Sequence, residues 1–73
     1  MVCQIKSILA QLDVSQQVLA DALGVSRNTI TSLARNQSLP NLRLAYDIRD
    51  FFNAKAAELG MDKRWSVEDI WVE

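Results

Sequence analysis

Apolar residues recur along this chain at the spacing of helices with one buried face. Ile5, Ile8, Leu9 and Leu12 fall three and four residues apart and predict a first helix over residues 3–12. Between Gln16 and Arg35 two short helical patterns follow, joined by Gly24, which can take the positive φ that ends a helix. Leu19, Leu23, Val25, Ile30 and Leu33 form the side on which two crossed helices must touch, and Ala20 is small where they approach. Ser15 and Ser26 stand as N-caps for the pair, each inside a hydrophobic staple, Val14 with Leu19 and Val25 with Ile30. After a loop of turn formers, Asn41 caps a fourth pattern with Leu42, Ala45, Ile48 and Phe52 on one side, able to run on through Leu59 to a stop at Gly60. Ser66 and Asp69 have capping-box spacing for a short last helix, with Trp65 and Ile70 as its staple. The pattern predicts an all-α fold.

Two crossed helices with a glycine turn are a helix-turn-helix layout, here over about residues 16–35. The second helix then carries Asn28, Thr31, Ser32 and Arg35 on the face away from Ile30 and Leu33, with Arg27 at its open N-terminal end. Arginine pairs bidentately with guanine and asparagine with adenine, so the expected partner of this face is the major groove of double-stranded DNA. A formal net charge of -1 argues against binding by bulk charge. Locally the distribution reverses that. No acidic residue occurs from Ala22 to Tyr46, a stretch that holds Arg27, Arg35 and Arg43, and most carboxylates follow from Asp47 onward.

The remaining composition excludes more than it adds. Cys3 is the only cysteine, so it forms no internal disulfide, and a small buried thiol is the expected role. The chain has no histidine and only two glycines, which removes the usual metal ligand, the usual neutral-pH proton shuttle and any glycine-rich phosphate loop. Neither an enzyme, a metal, a cofactor nor a small-molecule ligand is expected. Apolar runs are too short for a membrane span or a signal peptide, so a cytoplasmic protein without membrane attachment is expected. At 73 residues the chain reads as a single domain over 1–73.

The aromatic residues Tyr46, Phe51, Phe52, Trp65 and Trp71 are all in the C-terminal half. Two uses are open for them, a plain core and a dimer interface. Residues 53–73 are the candidate dimerisation segment, with Phe51 and Trp71 the residues expected to face a partner.

The stretch from Val14 to Leu33, VSQQVLADALGVSRNTITSL, resembles the core motif of the Cro and phage-repressor type of helix-turn-helix, the XRE-like family of bacterial and phage transcription regulators. The resemblance continues less strongly from Ile5 to Ile48, and Ser66 to Ile70 is similar to the family's closing helix. It implies a compact five-helix bundle of the lambda-repressor-like type, to which this chain's own pattern adds the option of an extended helix four. It also implies that Gln16 meets a DNA phosphate and that Arg27, Asn28, Thr31 and Ser32 reach base edges. Ser26, Arg35, Asn36 and Gln37 would meet the backbone, with Arg43 as an additional phosphate contact. The chain departs from the family in carrying Ala34 where glutamate is common, Asn36 where glycine is common, and a longer stretch between Phe52 and Trp65.

The implied function is a sequence-specific transcription regulator, a repressor acting as a homodimer on an inverted-repeat operator. A different class also fits the overall acidity and the aromatic C-terminal half. That alternative is a protein-interaction module, antitoxin-like or accessory, that keeps the helix-turn-helix fold.

Overall fold

The first described residues are extended, not helical. In the computed structural model, which describes residues 2–73, β1 (Val2–Cys3) precedes α1 (Ile5–Leu12), α2 (Gln16–Leu23), α3 (Arg27–Ala34), α4 (Leu42–Glu58), α5 (Val67–Ile70) and β2 (Trp71–Val72). Short polar side chains set the starts of α2, α3 and α4. Ser15, Ser26 and Asn41 accept from the backbone N–H groups of Val18, Thr29 and Leu44 at 3.1, 3.2 and 2.7 Å. Each such cap satisfies an N–H that the helix itself leaves without a partner and contributes about 1 kcal/mol. Ser66 and Asp69 close the expected capping box at the start of α5.

The helices end on left-handed residues where the chain must reverse. Gly24 has φ 68° and closes α2, as its position predicts. Asp13 performs the same service for α1 at φ 56°, although it is not a glycine. Asn36, standing where the family commonly has glycine, adopts φ 62°, a conformation asparagine tolerates better than most residues.

The apolar faces meet in one core. Ile5, Ile8, Leu9 and Leu12 of α1, Leu19 and Ala20 of α2, and Ile30 and Leu33 of α3 are buried together with Ala45, Ile48, Phe52 and Ala56 of α4. Leu23 and Val25, expected on the touching side of the helix pair, are partly buried against this core. Phe52 is fully buried at the centre and meets Trp65 edge-on, ring centroids 6.2 Å apart. The longer stretch after Phe52 is absorbed by α4, which runs to Glu58. The chain beyond it is tied back at Asn53, whose carboxamide accepts from the Trp65 backbone N–H at 2.8 Å and donates to its carbonyl at 3.0 Å.

One expectation is corrected. The first helix begins at Ile5 and not at residue 3, because β1 pairs antiparallel with β2, Val2 opposite Val72 and Cys3 opposite Trp71. The same pairing turns most of Trp71 into the core, leaving it 8% exposed. Phe51 is partly buried against the core and contacts Phe52 edge-on. Most of the aromatic surplus is thus consumed within the chain. Tyr46 stays exposed, with the Arg49 guanidinium 4.7 Å from its ring centre. None of the described helices is long and apolar enough to cross a membrane.

Candidate nucleic-acid interface

The surface expected to read DNA is built from α3 and the open ends around it. Because Ser26 caps α3 through the N–H of Thr29, the N–H groups of Arg27 and Asn28 lack intrahelical partners and point out of the helix end. Such an end carries the positive pole of the helix dipole and suits an anion. The Ser26 hydroxyl also shares a 2.9 Å hydrogen bond with Thr29 Oγ1, so its side chain is engaged in the cap.

Arg27 stands exposed at the open N-terminal end of α3, and the exposed Asn28 and Arg35 with the partly buried Thr31 and Ser32 lie on the side away from the buried Ile30 and Leu33. Neither Arg27 nor Arg35 makes an ion pair among the described residues. Beyond α3 the exposed Asn36 and Gln37 continue the same edge, their backbone N–H groups donating to Leu33 and Ser32 carbonyls at 3.1 and 2.9 Å. Arg43 lies in the first turn of α4 and is differently held. Its Nε donates to Asp47 Oδ2 at 3.3 Å, in a pair whose arginine side chain keeps 87% exposure. An exposed pair of this kind is worth about 0–1 kcal/mol and is readily exchanged for another anion.

Gln16 opens α2, partly buried, and one expected site residue binds another there. The Thr31 hydroxyl donates to Gln16 Oε1 at 2.8 Å across the angle between α2 and α3. Sequence reasoning gives both residues to DNA and does not pair them. The signal is absent from periodicity, because it depends on how the two helices cross.

Two titratable groups outside this surface have shifted pKa values. Burial pushes the pKa of the partly buried Cys3 thiol up, against a smaller lowering by a backbone hydrogen bond at Ile5. Hydrogen bonds from the Ser66 backbone, then from its hydroxyl, hold the exposed Asp69 carboxyl below the usual carboxylate range. No cluster of metal-ligating side chains occurs among the described residues.

Residues 5–59 match the family model described as helix-turn-helix. Among curated proteins the chain is similar to two uncharacterized HTH-type transcriptional regulators of Archaeoglobus fulgidus, each 35% identical over 68 residues, 93% of this chain and 92% and 93% of theirs. An uncharacterized HTH-type transcriptional regulator of Methanocaldococcus jannaschii is 36% identical over 56 residues, 77% of this chain and 85% of its own. No solved structure gives a significant match. With α2, the Gly24 turn and α3 inside the matched region, the chain belongs to the Cro/C1-type, XRE-like helix-turn-helix family.

Proposed function

We propose that this protein is a sequence-specific DNA-binding transcription regulator, most simply a repressor, that acts as a homodimer on an inverted-repeat operator. The observation that carries the reading is the outward face of α3. It is polar and free of carboxylates, and Arg27 and Arg35 stand at its two ends without an ion pair among the described residues. Arg27, Asn28 and Ser32 read base edges, while Arg35, Asn36, Gln37, Arg43 and the N-terminal end of α3 at Ser26 hold phosphates. The names of the relatives support the same class.

The homodimer rests on size and on one apolar face. A single domain of this kind covers too little DNA for tight specific binding, and its longest extent, 32 Å, fits within the ~34 Å between successive major grooves on one side of B-DNA. Leu39 and Leu42 are 69% and 67% exposed beside a shallow groove of about 270 Å³ lined by those two leucines with Pro40, Ala45, Val67 and Trp71. The groove lining has no charged residue and carries both protrusions and a recess, so a second copy can complement it about a two-fold axis. Of the aromatic pair Phe51 and Trp71, this face includes Trp71 alone.

Selection of binding sites from a random DNA pool, with light scattering on the complex, tests the reading. An enriched palindrome bound by two chains is expected, and Leu42→Asp should abolish the two-chain complex while the variant stays folded. No enrichment at low salt would overturn the DNA reading and leave the apolar groove to a different protein partner.

A further inference from the structure

The hydrogen bond between α2 and α3 gives Thr31 a task other than base reading. A threonine hydroxyl on a helix ordinarily bonds back to a carbonyl of its own preceding turn or faces solvent. Here it crosses to a residue 15 positions away in sequence, donating to Gln16 Oε1 at 2.8 Å in a partly buried setting. A hydroxyl has one proton. Once it is donated to Gln16, the hydroxyl cannot also donate to a base.

The consequence falls on Gln16. Its side chain ends in one acceptor, Oε1, and one NH2 donor, Nε2. Phosphate oxygens only accept, so a glutamine can hold a phosphate only through Nε2. Thr31 occupies the acceptor and leaves the donor, which no described group engages. That donor stands at the start of α2, where the N–H groups of Gln16 and Gln17 also lack intrahelical partners because Ser15 caps through Val18. A carboxamide tethered at its oxygen has lost most of the rotamer freedom that binding would otherwise have to remove.

We infer that Thr31 is a positioning residue for the phosphate contact of Gln16, and that it sets the strength of backbone binding without selecting a base. This rests on the DNA-binding reading above. Its chemistry separates two parts of the threonine side chain. Thr31→Val removes the hydroxyl and keeps the methyl group, whereas Thr31→Ser keeps the hydroxyl and removes the methyl.

The test measures dissociation constants for the selected operator and for a scrambled duplex of equal length, over a range of salt, for wild type, Thr31→Val, Thr31→Ser, Gln16→Ala and the Gln16→Ala/Thr31→Val double variant. Thr31→Val should weaken both duplexes by the same factor, about three- to tenfold per half-site, with base preferences unchanged. Thr31→Ser should bind the scrambled duplex as wild type does, and the double variant should be no weaker than Gln16→Ala. The inference is overturned if Thr31→Val alters the preferred base at any position while the scrambled duplex is bound normally, or if the two losses multiply in the double variant. A wild type that binds neither duplex at low salt overturns the DNA reading, and this inference with it, before any variant is compared. Relaxation of the Gln16 side-chain amide in the free wild-type protein gives a readout independent of variant folding. Order approaching that of the backbone supports the tether, and free rotation overturns it.

Discussion

Arg27 and Arg35, on α3 and at its end, have no carboxylate within 4.0 Å among the described residues, whereas Arg43, Arg49 and Lys55 of α4 each have one, at 3.3, 2.8 and 3.9 Å. The cause lies in the sequence, which places no acidic residue between Ala22 and Tyr46 and then spaces Asp47, Asp50 and Glu58 among the cations of α4. Each surface pair is worth little as stability. What differs is the field. A cation beside its own carboxylate presents almost no net charge to a distant partner, while an unpaired one presents all of it, so a chain of net charge -1 still offers a positive edge. Charge assigned to places says more about this molecule than charge summed.

The largest effect that tests this division is structural. Phe52 lies in the C-terminal half but is fully buried in the core that α1, α2 and α3 share, so the reading face depends on it. Phe52→Ala should cost about 3–5 kcal/mol in denaturant unfolding and melt both halves in one transition. Two separate transitions would break the picture of a single cooperative unit.

The next effect separates the unpaired arginines from the paired ones. Arg27→Ala should cost about 1–3 kcal/mol on the selected operator and relax one base preference in each half-site. Arg35→Ala should weaken all sequences alike and make the logarithmic salt dependence shallower by about one unit for each phosphate it no longer neutralises. Arg49→Ala, whose guanidinium lies against Asp50 and Tyr46, should leave both unchanged in a binding titration. A loss at Arg49 equal to that at Arg35 would remove the distinction between the halves.

A smaller effect probes the turn on which the reading face hangs. A Cβ at Gly24 meets nothing within 4 Å, so Gly24→Ala carries only the penalty of φ 68°, about 1–2 kcal/mol in thermal unfolding. The smallest is electrostatic and belongs to α5. The Asp69 carboxyl has a lowered pKa, so the stability it contributes is present above the ordinary carboxylate value of about 4 and is lost as pH falls through its lower folded value. Melts of wild type and Asp69→Asn should therefore differ at neutral pH and converge in acid.

Local chemistry makes much of this molecule legible in advance. Ser15, Ser26, Asn41 and Ser66 cap the helices they are spaced to cap, and Gly24 takes its left-handed turn, because each depends on neighbours a few residues away. The pairing of Val2–Cys3 with Trp71–Val72 and the burial of Trp71 are not legible, since they join opposite ends of the chain and have no period to betray them. The candidate site divides in the same way. Arg27, Asn28 and Arg35 are exposed where helical spacing puts them, but the link from Thr31 to Gln16 exists only once the two helices cross.

The β1–β2 pair has a further consequence. With Val2 beside Val72 and the Gln4 N–H donating to the Ile70 carbonyl at 2.7 Å, the backbone is nearly a closed ring with its seam at one corner. A ring can be cut elsewhere. Joining the two ends by a short bridge and opening the exposed chain between Ser38 and Leu39 would give a permuted chain that keeps every buried helix and starts just past the phosphate-facing Asn36 and Gln37.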